Sequence, residues 1–163
     1  MGSIKKIPIK IILLSGLLVG TLDILAACTD FYIATGKNPV AVLNYVASGI
    51  IGKTAFSGGT DVALLGLLCH FIIAFSFTIF FFWLYSKTNL LAKNRVVTGI
   101  IDGLFMWMVT VLIVLPLSNV PHTSLSAIKF AKAVKAILIL IFMIGLPLSF
   151  IAYNIFKKGE KAY

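Results

Sequence analysis

Three ionisable side chains, Asp23, His70 and Asp102, each stand inside a long apolar stretch. A charge at membrane depth is costly, so such groups pair, line a wet cavity or do chemistry. Histidine titrates near neutrality, so this set points to proton-linked or cation-linked binding or transfer. The plainer reading of Asp23 and His70 is a neutral hydrogen-bonded pair that locks two helices together. Asp102 also reads two ways: as a relay point or inner mouth, or as a structural partner of Ser149, Thr110 or a backbone carbonyl. No Ser-His-Asp order and no pair of catalytic carboxylates stands out, so no catalytic residue is assigned.

The elements that position these groups follow from composition. The chain has 163 residues, 60% of them hydrophobic and only 12% charged, with a mean hydropathy of +1.08. A soluble domain carries about 25% charged residues. Long apolar runs with few charges make a bilayer the solvent. The expected fold is an all-α membrane protein in one domain. Its four transmembrane helices lie at about 9–35, 61–85, 96–117 and 133–156. The basic start at Lys5 and Lys6 imitates a signal peptide, but the apolar run that follows is too long for one, so a retained first span is expected. Gly2 lacks the serine context of a myristoylation site.

Net charge is +9, from 14 Lys and Arg against 5 Asp and Glu. The basic residues flank the spans instead of forming one stripe, which argues against nucleic-acid binding and for lipid headgroups as partners. Lys5, Lys6, Lys10, Lys87, Lys93, Arg95, Lys157, Lys158 and Lys161 fall on one side. Lys37, Lys53, Lys129, Lys132 and Lys135 fall on the other. The richer side should be cytoplasmic, with both termini inside. The aromatic run Phe80–Tyr85 closes the second span at that boundary and reads as an interfacial belt. Lys129, Lys132 and Lys135 share a helix face and are expected to reach outer headgroups.

The first outer loop, 36–60, is long. Asn38-Pro39 opens a stretch in which Val40, Leu43, Val46, Ala47 and Ile50 repeat at helical spacing. A short interfacial or re-entrant helix is expected there; if it re-enters, its non-helical end must be covered by protein or face water. Ser57 or Thr60 is the expected N-cap of the second span. Asp30 and Asp61 lie near the outer face, where Lys37 and Lys53 are their expected ionic neighbours. Lys53, Gly58, Gly59, Asp61 and Asp30 would line an outer entrance if one exists. The run Ala47–Thr54 loosely matches a phosphate loop, but no strand precedes it and no magnesium partner is apparent, so the match is treated as coincidence.

No cofactor or metal site is indicated. Cys28 and Cys69 fall inside spans without a Cys-x-x-Cys motif and read as small buried hydrophobes. His122 has no metal-ligand spacing to another donor.

Small residues recur on one face of each span: Gly16, Gly20, Asp23 and Ala27 in the first; Ala63, Gly66, His70 and Ala74 in the second; Gly99, Asp102 and Gly103 in the third; Gly145, Ser149 and Ala152 in the fourth. Such faces let membrane helices approach closely, and they turn the acidic residues toward protein. Spans one and three share Gly-x-x-Asp, at Gly20–Asp23 and Gly99–Asp102, and a proline follows each. This is too short a match to require an internal repeat.

The segments 18–26, 47–59, 65–74 and 115–118 carry Gly-x-x-Asp, Ser-Gly-x-x-Gly with Phe-x-Gly-Gly, Gly-x-x-x-His-Phe and Leu-Pro-Leu-Ser. Together they resemble a family of small uncharacterised bacterial four-helix inner-membrane proteins, over about Gly16 to Pro147. The resemblance implies four spans and a bacterial inner membrane. It transfers no activity. Its motifs coincide with Asp23, Lys53, Gly58, Gly59 and His70. Where members often carry an asparagine in the third span, this chain has Val109-Thr110-Val111.

The expected function is binding or translocation of a small solute, ion or proton, with Asp23 and His70 at the centre. A homo-oligomer is expected, since four short spans scarcely enclose a wide pore. The alternatives are a lipid-facing enzyme at the outer leaflet, using Lys53, Asp61 and the Gly58-Gly59 turn, or a non-catalytic assembly or stress-tolerance subunit. A non-enzymatic role is favoured.

Overall fold

Apolar runs separated by short polar connections fold into five helices with no strand among the described residues. The structure is a computed structural model and describes residues 7–88, 94–121 and 130–160. Helix α1 is Ile9–Thr35. Helix α2 is Val40–Ile51, continued by a 3-10 turn over Gly52–Ser57. Helix α3 is Thr60–Lys87 and α4 is Arg95–Leu117. Helix α5 covers 130–160. The expected windows 9–35, 61–85, 96–117 and 133–156 fall inside α1, α3, α4 and α5. Counting the 18-residue unit Val40–Ser57, all five are long and apolar enough to cross a membrane.

No more than 33% of the most apolar window in any of these segments is buried inside the protein. Leu13, Leu14, Leu17 and Leu18 of α1, and Leu64, Leu68 and Ile72 of α3, point outward. A water-soluble monomer rarely exposes apolar surface on this scale; helices that are apolar all round belong in lipid.

The helix ends are closed locally. The N–H of Gly36 donates to the Tyr32 carbonyl at 2.8 Å, with φ at +67°, a left-handed turn that glycine makes without steric cost. Asn94 caps α4 by accepting from the N–H groups of Val96 and Val97 at 3.0 and 3.3 Å. Asn38 accepts from the Val40 N–H at 3.0 Å and so opens α2, as its position before Pro39 suggests. The expected cap of α3 is different. Gly59 occupies the N-cap without a side-chain bond, because the Ser57 hydroxyl donates to the Thr54 carbonyl one turn back.

Packing follows the small residues. Gly16 of α1 lies on the Phe75 ring of α3, and Gly20 lies on Phe71 and Ala74. Gly66 of α3 receives the Leu43 carbonyl of α2. Gly99 and Gly103 of α4 meet the backbone of α5 at Leu146 and Ile141, and Gly145 of α5 fits against the Gly99 carbonyl. Helix α1 also packs on α5. At the end that carries the termini, Val19, Phe81, Phe82, Tyr85, Met106, Ile144, Leu148 and Ala152 form one buried cluster drawn from α1, α3, α4 and α5.

That cluster corrects the reading of the aromatic run. Phe81, Phe82 and Tyr85 are core, and the other two rings of the run, Phe80 and Trp83, are exposed. The Tyr85 ring packs on Phe156 at 5.1 Å between centroids. Consecutive aromatics on a helix point to different sides, so one run supplies both core and boundary.

Gly145→Val should lower the unfolding midpoint in detergent, with a cost of about 1–3 kcal/mol, because the new side chain enters the α4 backbone. Gly59→Ala should leave the midpoint unchanged, since nothing lies within 4 Å of its added methyl. Equal losses in the two variants would remove the close-approach account.

Candidate functional site

The site is built around a break in helical regularity. Residues Ile141–Gly145 of α5 adopt a π-helical turn, and the Leu146 N–H reaches back to the Ile141 carbonyl. Helix α4 has a matching π turn at Thr110–Val114. Each begins six residues before a proline, Pro147 and Pro116. Proline has no N–H, and its ring crowds the carbonyl four residues back. Widening the preceding turn to i→i+5 bonding relieves that crowding. Single π turns of this kind recur at functional sites.

Three ionisable groups stand at about the level of this segment, one on each of α1, α3 and α4. Asp30 of α1 forms an ion pair with Lys135 of α5. From that contact α1 and α5 run antiparallel, so seven residues from Asp30 to Asp23 on one helix match seven from Lys135 to Phe142 on the other. Asp23 therefore stands level with the π turn, against which α1 packs. On the opposite side Gly103 lies on Ile141 and Gly99 on Leu146, which sets Asp102 at about the level of the same turn. The sequence alone places Asp102 nearer the terminal end; the packing register raises it to the level of Asp23.

His70 completes the level from α3. Its Nε2–H donates to the Gly20 carbonyl at 2.8 Å. This bond fixes a proton on Nε2, since a carbonyl can only accept. Asp23 stands one turn from Gly20, is half-buried and interacts electrostatically with His70. The expected direct bond between the two side chains is thus replaced by a bond from the ring to the α1 backbone. The His70 ring also meets Phe71 edge-on at 5.4 Å.

Asp102 is 9% exposed, and its Oδ2 has no hydrogen-bond partner among the described residues. Ser149, a partner considered from the sequence, donates its hydroxyl to the Leu146 carbonyl at 2.9 Å. The Tyr85 hydroxyl and the Asn44 Oδ1 are also buried without a partner among the described residues.

The residues at the α2 end divide into two groups. Asp30 faces α5 and takes Lys135, not Lys37 or Lys53, because α5 lies beside α1 where the loop does not. Lys53 and Asp61 are exposed, with Gly58 and Gly59 between them in the connection into α3. Asp61 occupies the first turn of α3, where the helix dipole favours a negative charge. The sequence reading missed Asn119. Its N–H donates to the Gly49 carbonyl at 2.9 Å and its Nδ2 to the Ile50 carbonyl at 2.7 Å. These carbonyls close α2 and have no donor within the helix. Nothing in the local sequence says that an asparagine after α4 will serve α2.

Among the described residues no three His, Cys, Asp or Glu side chains cluster closely enough to hold a metal ion. His122, Lys93 and Lys129 lie outside the described residues. No protein-family model, curated protein or solved structure matches this chain.

Asn119→Ala should loosen the end of α2. The loss is expected at about 1 kcal/mol, the net worth of one hydrogen bond. Amide hydrogen exchange should quicken at 51–54 and stay unchanged in α5. Unchanged exchange at 51–54 would show that the Asn119 side chain does not hold α2.

Proposed function

We propose that this chain is a four-span protein of a bacterial inner membrane that binds or moves a small solute, ion or proton through a polar site. Asp23, His70 and Asp102 are its centre. The observation that carries this reading is their common level around the π turn of α5, with one group supplied by each of α1, α3 and α4. Three separate helices converging ionisable groups at mid-depth is the arrangement expected of an ion or substrate pathway. The resemblance noted in the sequence supports the bacterial inner membrane, and the excess of basic residues at the terminal end supports cytoplasmic termini.

In this reading α2 re-enters and does not cross. Its start lies deep: the Cys28 thiol reaches the Pro39 carbonyl at 3.8 Å. Cys28 is seven residues inside the end of α1 at Thr35, about 10 Å at ~1.5 Å per residue. Gly66, which receives the Leu43 carbonyl, is six residues inside the start of α3 at Thr60, about 9 Å by the same measure. Its other end is tied by Asn119 to the exit of α4, two residues past Leu117. Helix α2 therefore rises from within the bundle to the surface, its backbone covered by α3 as the bilayer requires. Assembly into a homo-oligomer would give the site a second wall and set the exposed apolar faces against one another.

Two measurements test this. In proteoliposomes with imposed proton, sodium or potassium gradients, the protein should dissipate at least one of them faster than empty vesicles do. Asp23→Asn and His70→Ala should lose that flux while eluting as the wild type does. Wild-type flux in both variants would remove the site. For topology, Lys37→Cys and Lys53→Cys, each in a Cys28→Ala, Cys69→Ala background, should react with an impermeant thiol reagent from the same side. Reaction from opposite sides would make α2 a fifth span.

A further inference from the structure

We propose that the species handled by this site is a proton and that Asp102 is the group that takes it up and releases it. The inference rests on the transport or binding reading above and narrows it to one ion and one carrier. Two independent observations carry it: the state of the Asp102 side chain and the packing of α4 on α5.

Asp102 is nine-tenths buried, and its Oδ2 faces no hydrogen-bond donor among the described residues. It is the only titratable side chain of α4 from 96 to 117. Helix α5, which packs on that face, carries none from 136 to 152. At the same level α3 offers His70 and Cys69, and α1 offers Asp23. Arg95 lies two turns toward the terminal end, stacked over the Phe150 ring at 4.4 Å. Among the described residues no lysine or arginine therefore forms an ion pair with Asp102. A carboxylate left charged and unpaired in such a place is costly, and taking up a proton removes the charge.

The packing of α4 on α5 favours a proton over a larger ion. A methyl group on Gly99 would fall 2.9 Å from the Leu146 Cα, and one on Gly103 would fall 2.7 Å from the Ile141 Cα. Gly145 is closed in the same way by Gly99. At Gly99 and Gly103, which lie on either side of Asp102 along α4, the α4–α5 seam thus has no room for a carbon atom, and among the described residues no three His, Cys, Asp or Glu side chains cluster to hold a metal ion. A metal cation needs several oxygen ligands arranged around it, whereas a proton needs one oxygen and no volume. The reaction is protonation of the carboxylate to the carboxylic acid and its reversal, with no electron transfer. His70, an imidazole at the same level on α3, is the neighbouring group through which the proton would arrive or leave.

The test uses the full chain in proteoliposomes loaded with a pH-sensitive dye, with a potassium ionophore to balance charge. Wild type should relax an imposed pH gradient faster than empty vesicles, and Asp102→Asn should fall to the empty-vesicle rate. Asp102→Glu, which keeps the carboxyl, should recover part of the flux. Infrared difference spectra between low and high pH should contain the carbonyl band of a protonated carboxyl that disappears in Asp102→Asn. If Asp102→Asn carries protons normally while Asp23→Asn or His70→Ala does not, the site stands and this assignment falls. A sodium or potassium flux that depends on Asp102 would overturn the choice of ion. Wild type relaxing none of the gradients would overturn both readings. Should Asp102→Asn fail to elute as wild type, the infrared band in the intact wild type decides: its absence at every pH overturns the proposal.

Discussion

Backbone-to-backbone contact at glycine is the constraint on which the rest of this structure depends. Lipid tails are as apolar as leucine, so helices in a bilayer gain little by hiding apolar side chains from one another. What remains is close van der Waals contact and the pairing of polar groups. Gly66 admits the Leu43 carbonyl, and Gly99, Gly103 and Gly145 interlock. These contacts join α2 to α3 and α4 to α5. Gly16 and Gly20 then seat α1 on the Phe75 and Phe71 rings of α3. The large side chains are left to face outward, which is why Leu, Ile and Phe dominate the exposed surface.

The same contacts place the ionisable groups. Gly20 is both the surface on which α3 rests and the residue whose carbonyl receives the His70 proton. A larger residue there would push α3 away and lengthen the bond that satisfies the ring. Asp102 lies between Gly99 and Gly103 along α4, the helix that approaches α5 closely at those glycines, and it is buried. Pro147 adds the third element. Its missing N–H widens the turn at Ile141–Gly145, and that turn is where α1 and α4 both lean on α5. Stability and the polar site share residues here, so a substitution at Gly20 or Gly145 will disturb both.

Much of this was legible in the sequence. Hydropathy and length place α1, α3, α4 and α5 within a few residues, because a bilayer demands long apolar runs whatever their partners. The small faces were legible too, since Gly16, Gly20, Ala63, Gly66, Gly99 and Gly145 recur at helical spacing. Pairwise facts were not. Asp30 was given to Lys37 or Lys53 by proximity in the chain, but its partner Lys135 is set by which helix lies beside α1. Asn119 serves the Ile50 carbonyl 69 residues away, which no local pattern encodes. The level of Asp102 depends on where Gly103 meets Ile141, a register between helices. Burial of Phe81, Phe82 and Tyr85 depends on how α3 meets the residues of α1, α4 and α5 in one cluster. Periodicity names the face of a helix that is buried; it does not say against what.

The Asn119 bonds also tie the polar site to the surface. Helix α2 packs on α3 one turn from His70, through Gly66, and its far end is held by the segment that leaves α4. Helix α4 in turn carries Asp102 and its own π turn at Thr110–Val114, between Asp102 and Asn119. A shift of α4 along α5 would therefore be felt at both ends: at Asp102 through the glycine seam, and at α2 through Asn119. The π turns are the positions in α4 and α5 best suited to absorb such a shift, since their hydrogen bonding is already displaced from the α pattern. The two prolines that widen those turns thus put a break in helical regularity on both helices of the glycine seam, the one that carries the buried carboxyl and the one packed on it.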